Sequence, residues 1–397
     1  MKKKVIAFVP LPPPPAGPEI ATQAMLNVLS LPHDCELRVV KANVRTSNDR
    51  KGNFDREGIF RAGKSLLNLF FHCLCFRPQK AYLLVNPSKA GFLRDAAAIF
   101  IARLFFCKVI AHYHGSHFHY FYKTSSCWFR FLIRITLRQL HVMIVQAERL
   151  KNIFSGLLFE SRLSVLYNGV SDACLERGKT AVALRKARKR DPVTFLFLGH
   201  ISFAKGFYDL MSAYKKLIEQ GKKIRLLIAG DFILNLKTQV EFLERPYRQF
   251  YVDHSLQIHH EILEFVQNRT ISGIEYHGIV EGEQKYLLFE QADVFVLPSH
   301  TEGFPNVVLE AMAFGLGLIV TPVGALPEVL QEPDNAYFVE PGNSDSLVRQ
   351  MNGLLAQPSI CFEMGMKNRK LVEQKYQMQL TARKFSELVL NWRETRS

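Results

Sequence analysis

Glu302 and Glu310 stand in the stretch Glu302-Gly-Phe-Pro-Asn-Val-Val-Leu-Glu310, with seven residues between them. Leu309, Ala311 and Met312 flank Glu310, and a carboxylate among apolar neighbours needs a partner. Paired hydroxyls of a sugar ring would serve as bidentate donors. Residue type alone also fits a solvated loop glutamate and an ordinary helix glutamate, the commoner meaning of two such residues. A second cluster is His112-Tyr-His-Gly-Ser-His-Phe-His119. On a strand, His112 and His114 share a face. No Asp, Glu or Cys joins these histidines, which disfavours a metal site. Surface or core histidines are the plain reading of His112, His117 and His119.

The elements around the glutamates follow from pattern. The apolar run 292–297 predicts a buried parallel strand. Pro298 and Ser299 stop it. Residues 306–314 predict a helix, with Asn306 as its cap and Gly315 and Gly317 ending it. Strand, glycine-bearing loop and helix put the loop at the carboxyl edge of a parallel sheet, where such folds bind ligands. Free amides at the helix start favour an anion there.

Along the chain, strands are expected at 5–9, 37–40, 81–85, 109–113, 142–146 and 165–167. A second set follows at 193–198, 225–229, 292–297, 318–321 and 337–339. Helices are expected at 19–29, 65–76, 90–106, 127–140, 207–219, 284–291, 344–355 and 380–392. Residues 43–64 are polar and basic and read as the least ordered stretch of the first half. Residues 183–191 read as a charged, exposed linker, and 232–273 as a helical insertion.

A chain of 397 residues favours two domains. No apolar window is long enough to span a bilayer. Met1-Lys-Lys-Lys4 and the run 5–9 start like a signal peptide, but the run is short and breaks at Pro10, so a first strand is expected. Seven scattered cysteines suggest a reducing compartment, the cytoplasm. The net charge is +15, yet residues 1–190 hold 31 Lys and Arg against 11 Asp and Glu. The basic half must therefore serve an anionic partner: nucleic acid, a membrane surface or an acidic acceptor. Arg130, Arg134 and Arg138 recur every fourth residue, on one helical face. Trp128, Phe129, Phe131, Leu132, Ile135 and Leu137 cover most of the remainder. An arginine stripe with aromatics is the pattern of an interfacial helix, so an anionic membrane surface is the expected partner. No RNA- or DNA-binding motif accompanies it, and nucleic acid is not expected.

The stretch 302–310 resembles the Glu-x7-Glu motif of the retaining glycosyltransferase family 4, two-domain GT-B enzymes that use nucleotide sugars. Phe197-Leu-Gly-His-Ile-Ser-Phe-Ala-Lys-Gly206 resembles the turn that opens the family's C-terminal domain. Tyr276-His-Gly-Ile-Val280 resembles its base-binding loop. Val323-Gly-Ala-Leu-Pro-Glu328 resembles its Gly-Gly-x-Pro-Glu turn, and Tyr167-Asn-Gly-Val170 the end of its N-terminal domain.

The resemblance implies an α/β chain of GT-B fold, two doubly wound Rossmann-like domains facing a central cleft. It implies an acceptor-binding domain at 1–185, a nucleotide-sugar-binding domain at 186–377, and a helix at 378–397 crossing back to the first. The implied reaction is retaining transfer from a UDP- or GDP-sugar to a hydroxyl of a glycan or lipid-linked acceptor. Cell-surface polysaccharide or lipopolysaccharide synthesis, on the inner face of the cytoplasmic membrane, is the implied setting. Glu310 would hold the ribose hydroxyls. Lys205, the amides near Asn306 and Val307, and His200 would take the diphosphate. Glu302, with the amides of Gly303 and Phe304 in the loop that Pro305 closes, would fix sugar hydroxyls. Ile279 would offer its backbone to the base. His114 would hydrogen-bond the sugar from the other domain.

Two departures stand out. His200 occupies a position where the family carries Arg. The first loop has Pro12-Pro-Pro-Pro15 and a single glycine, Gly17, where the family carries several, so any phosphate contact by Gly17 comes from a stiff turn. No Asp-x-Asp stands where a metal-bridged diphosphate would need it, so no metal and no cofactor beyond the nucleotide sugar are expected. Two other readings are a sugar-nucleotide epimerase on the same fold and a non-catalytic subunit of a glycosylation complex. The presence of Glu302, Glu310 and Lys205 together speaks against the latter.

Overall fold

The computed structural model describes residues 2–13, 17–42, 56–187, 192–232 and 273–390, together with 248, 249, 252, 253 and 256. The chain divides into two compact units, Met1–Gly169 with Met378–Ser397, and Val170–Gln377.

The first unit is built on six strands: β1 (Lys3–Val9), β2 (Cys35–Lys41), β3 (Lys80–Val85), β4 (Lys108–Tyr113), β5 (Leu140–Val145) and β6 (Leu163–Val165). All pair in parallel, in the order β2-β1-β3-β4-β5-β6. Its helices are α1 (Gly17–Val28), α2 (Arg56–Phe76), α3 (Lys89–Leu104), α4 (Phe118–Thr124) and α5 (Cys127–Arg138). The central strands are almost uniformly apolar and buried, as parallel strands covered on both faces must be.

Helix α2 begins at Arg56, not at Ser65. Its buried residues are Ser65, Leu69, Cys73 and Phe76, a single stripe at helical spacing. The polar residues before Ser65 extend the helix because an amphipathic helix needs only one apolar face. Residues 43–55, the rest of the stretch expected to be least ordered, lie outside the described residues. Helix α4 was not expected. Phe118 and Phe121 form it by packing against Phe92, and Phe118 also meets Tyr113 and Phe154. The terminal helix Met378–Phe385 continues as a π-helical turn, Ser386–Leu390. Met378, Phe385, Val389 and Leu390 are buried with Val5, Tyr82 and Ile110 in one core, so residues 378–390 complete the first unit.

The second unit runs α6 (Asp172–Ala187), β7 (Val193–Leu198), α7 (Phe207–Glu219), β8 (Ile224–Ala229), β9 (Ile274–Tyr276), α8 (Gly282–Gln291), β10 (Val294–Leu297), α9 (Asn306–Ala313), β11 (Gly317–Val320), α10 (Leu326–Val329), β12 (Tyr337–Phe338), α11 (Ser344–Ala356) and α12 (Pro358–Lys375). Its parallel sheet has the order β12-β11-β10-β7-β8-β9. Successive strands spread outward from β7 in one direction and from β10 in the other. The boundary between β7 and β10 is therefore the topological switch point, the edge at which open α/β sheets bind ligands. Both units are thus doubly wound sheets, the GT-B fold.

The linker expected at 183–191 is instead helical through Ala187, and α6 belongs to the second unit. Arg185 is not exposed. Its side chain is buried and donates to the carbonyls of Phe289, Ala292, Phe314 and Gly315. Those carbonyls close α8 and α9, whose last turns leave backbone acceptors unpaired. Gly178 lets α6 approach, because a Cβ there would lie 2.3 Å from the Ala313 carbonyl oxygen. Residues 188–191, and nearly all of the insertion at 232–273, lie outside the described residues.

Candidate functional site

The loops after β7 and β10 meet at the switch point of the second unit. After β7, a 3-10 turn (Phe203–Lys205) ends at Gly206, with φ +70°. A Cβ on Gly206 would lie 1.9 Å from the Pro298 carbonyl oxygen, so the two loops touch there through backbone. His300 pins them further. Its amide donates to the Ala204 carbonyl at 3.0 Å, its ring stacks on Phe203, and Nε2 meets Asp209 Oδ2 at 2.9 Å.

These contacts bring Lys205 and Glu302 together. Lys205 Nζ donates to Glu302 Oε1 at 2.7 Å, and Ser299 Oγ donates to the same oxygen at 2.7 Å. Among the described residues no partner reaches Oε2. One carboxylate oxygen is thus held from two sides. Gly324, at φ +59°, supports the loop from below, where a Cβ would lie 2.3 Å from the Glu302 carbonyl oxygen. The Ala325 amide donates to the Gly303 carbonyl at 2.8 Å. Phe304 is buried and meets Tyr376 edge-on. Burial, with the nearby Glu328 charge adding to it, lifts the Tyr376 hydroxyl to about 12.

Asn306 does not cap α9. Pro305 takes that position in extended backbone, and Asn306 is the first helical residue. Proline's restricted φ places the chain's turn into the helix one residue early. The amides of Asn306 and Val307 therefore belong to the first turn, whose N–H groups have no intrahelical acceptor. The Asn306 side-chain oxygen is buried without a partner among the described residues.

Glu310 lies further along α9, and Lys285 Nζ of α8 donates to its Oε1 at 2.7 Å. Burial alone would lower the Lys285 ammonium, but the Glu310 carboxylate outweighs it and raises the group. The buried Cys174 thiol nearby is raised, by desolvation first and the Glu310 charge second. Lys285 was not singled out from sequence. It is the only basic residue of α8, but nothing local says that it meets a side chain 25 positions away.

His200 and Ile279 sit on the other side of β7. His200 follows Gly199 and is half-buried, and Ile279 is 64% exposed. Gly230 is held against this edge, where a Cβ would lie 1.8 Å from the Gly199 carbonyl oxygen. Its amide donates to the Gly278 carbonyl at 2.8 Å, one residue before Ile279.

The remaining two candidates, Gly17 and His114, belong to the first unit. Gly17 opens α1 and has open space where a side chain would stand. His114 follows β4 within a chain of polar side chains. Tyr82 Oη lies 2.8 Å from His112 Nδ1, and His114 Nε2 lies 3.2 Å from that nitrogen. Gln146 Nε2 lies 3.1 Å from His114 Nδ1 and donates to Asn168 Oδ1 at 3.0 Å. Burial pulls His114 down to about 4. Burial, and then the neighbouring His114, pulls His112 down as well. Both rings are neutral near pH 7. Among the described residues, no three His, Cys, Asp or Glu side chains gather where they could hold a metal ion.

The fold and this edge geometry coincide with a family match. Residues 183–378 match the family described as glycosyl transferases group 1. They belong to that family. The capsular polysaccharide biosynthesis glycosyltransferase CapM of Staphylococcus aureus is 24% identical over 245 residues, covering 60% of this chain and 58% of its own. The lipopolysaccharide 1,2-N-acetylglucosaminetransferase of Salmonella typhimurium is 25% identical over 253 residues, covering 63% and 62%. The matched part of the chain thus spans about three-fifths of the length of those relatives. Among solved structures, Anabaena Alr3699/HepE in complex with UDP and glucose is similar in fold, with a TM-score of 0.64 at 15% identity, covering 98% of this chain and 99% of that one.

Proposed function

We propose that this protein is a retaining glycosyltransferase of family 4, moving a sugar from a UDP- or GDP-sugar to a hydroxyl of a glycan or lipid-linked acceptor. The observation that carries the reading is the pair at the switch point, Lys205 with Glu302, where one carboxylate oxygen is pinned and the other has no partner among the described residues. Lys205 meets the diphosphate, with the first amides of α9. Glu302 accepts from sugar hydroxyls, and Glu310, held by Lys285, accepts from the ribose. His114 donates to the transferred sugar. In the reaction the acceptor oxygen bonds to the anomeric carbon as the bond from that carbon to the phosphate oxygen breaks. The electron pair leaves on the nucleoside diphosphate, and the hydroxyl proton leaves with it. Stabilising that departing charge is the largest catalytic contribution. The names of the relatives support polysaccharide or lipopolysaccharide synthesis, and the UDP in the HepE complex supports a nucleotide-sugar donor.

The acceptor side of the reading is a lipid-linked substrate at an anionic membrane. The outer faces of three neighbouring helices support it. On α2, Phe60, Leu67, Phe71 and Leu74 are exposed, at a spacing that makes one stripe. On α5, Trp128 is 82% exposed and Phe131 59%, beside the exposed Arg134 and Arg138. Helix α3 packs against both and adds Leu104, with Phe106 just beyond it. Exposed apolar side chains beside arginines fit an anionic lipid interface. No described helix is long and apolar enough to cross a membrane.

A thermal-shift screen of UDP-, GDP- and ADP-sugars tests the donor site, because a ligand of the native state raises its melting temperature. One base series should raise it, and the shift should vanish in Glu310→Ala and Lys205→Ala. No shift with any donor would overturn the reading. Sedimentation with phosphatidylglycerol vesicles tests the membrane. Binding should fall at high salt and in Trp128→Ser/Phe131→Ser, and no binding at low salt would sink that part.

A further inference from the structure

Gln146 is buried, lies just beyond β5, and has no part in the proposed donor chemistry. Its amide nitrogen donates one hydrogen to Asn168 Oδ1 and faces His114 Nδ1 with the other. An amide NH2 has two donors and no acceptor. His114 Nδ1 must then be the unprotonated nitrogen, and the ring proton must sit on Nε2. That register propagates. His114 Nε2–H points to His112 Nδ1 at 3.2 Å, so His112 accepts there and carries its own proton on Nε2. His112 Nε2 is buried without a partner among the described residues, and so is Thr22 Oγ1. Both side chains line a cavity of about 10 Å³, room for roughly one water, which could accept that proton.

We propose that Gln146 is a positioning residue that fixes the tautomer of His114, making it a neutral hydrogen-bond donor through Nε2. The functional consequence rests on the reading that His114 contacts the transferred sugar. In the ligand-free chain, His112 occupies the Nε2–H. It is the partner that can be given up, because His112 Nδ1 keeps Tyr82 Oη at 2.8 Å. A sugar oxygen then replaces it as acceptor. Gln146 holds the opposite side of the ring, so the exchange takes place without reorienting the imidazole. The opposite tautomer would present a lone pair and select a ligand hydroxyl as donor instead.

The test is 15N NMR of protein labelled at histidine, with His114→Asn to assign the resonance. The wild-type signal should show an unprotonated Nδ1 and a protonated Nε2 near pH 7.5. In Gln146→Glu, a carboxylate accepts from Nδ1–H, so the pattern should reverse or the ring should become doubly protonated. Gln146→Leu should give a mixture. The apparent Kd for UDP-glucose or GDP-mannose, whichever shifts melting of the wild type, should rise about tenfold in Gln146→Leu. In Gln146→Glu it should become pH-dependent, which a purely structural defect would not produce. A wild-type His114 protonated on Nδ1 overturns the proposal, even if both variants fail to fold. An unchanged resonance in Gln146→Glu also overturns it. If the resonances behave as expected but His114→Asn leaves donor affinity unchanged, the tautomer assignment stands and the contact between His114 and the sugar falls.

Discussion

Lys285 Nζ donates to Glu310 Oε1 at 2.7 Å, joining α8 to α9 across the site proposed for the ribose. Both side chains are about four-fifths buried, so neither charge is fully solvated. Replacing Lys285 with Met leaves a partly buried carboxylate without its cation, which should cost about 1–2 kcal/mol in urea unfolding. The double variant Lys285→Met/Glu310→Gln should recover most of that loss, because no unpaired charge remains. If the double variant is as unstable as the sum of the singles, the pair is not coupled.

Gly206 has both a left-handed backbone and a carbonyl where a side chain would go. Gly206→Ala should lose more than about 2 kcal/mol and weaken any nucleotide-induced thermal shift, since Lys205 is the preceding residue. Gly17→Ala is the contrast, with nothing within 4 Å of its added Cβ. It should change stability by less than about 0.5 kcal/mol. Equal effects at the two glycines would contradict the close approach of the two loops.

Arg185 donates to four backbone carbonyls at the ends of α8 and α9. Arg185→Leu strands those acceptors and should destabilise the second unit by about 3 kcal/mol. Neutralising the exposed Lys186 beside it should do almost nothing. Denaturant midpoints of the two variants measure the difference.

The neutral histidines of the first unit predict acid sensitivity. His114 binds its proton at about 4 when folded against about 6.5 when unfolded. The unfolded chain therefore takes up more protons in that window, and stability falls as the pH falls. The contribution is fully present above pH 6.5 and is lost as the pH drops toward 4, on the order of 2–3 kcal/mol. His112, shifted in the same direction, adds to the loss. Melting followed from pH 7.5 to 4.5 should show the decline, and His112→Phe should flatten it. A stability that does not change down to pH 5 would mean that these rings are solvated.

Much of the architecture was readable from local pattern. The strands at 193–198 and 109–113 and the helix 207–219 were expected within a residue or two of where they lie, because buried parallel strands are continuous apolar runs and amphipathic helices repeat at their own period. Errors arose where a local signal has two meanings. Arg185 opens a stretch with five basic residues in six positions, 185–190, that reads as solvent-exposed, yet its guanidinium is the buried donor that two helix ends require. Asn306 looks like a cap, but Pro305 before it already holds the extended backbone that a cap needs. Residues 56–64 look too polar for a helix until the single buried stripe of α2 is known.

By itself the amino-acid sequence determined two alternating α/β halves, the loop positions of Lys205, Glu302 and His114, and the excess of positive charge in the first half. These follow from periodicity, turn residues and composition, which act over a few neighbours. The tertiary structure decided which side chains meet: Lys205 with Glu302, Lys285 with Glu310, His300 with Asp209, Gln146 with His114. Each pair joins segments that follow different strands or lie on different helices. Strand order brings those segments to one edge, and strand order is set by burying all the apolar faces at once, a condition that no short stretch of chain contains.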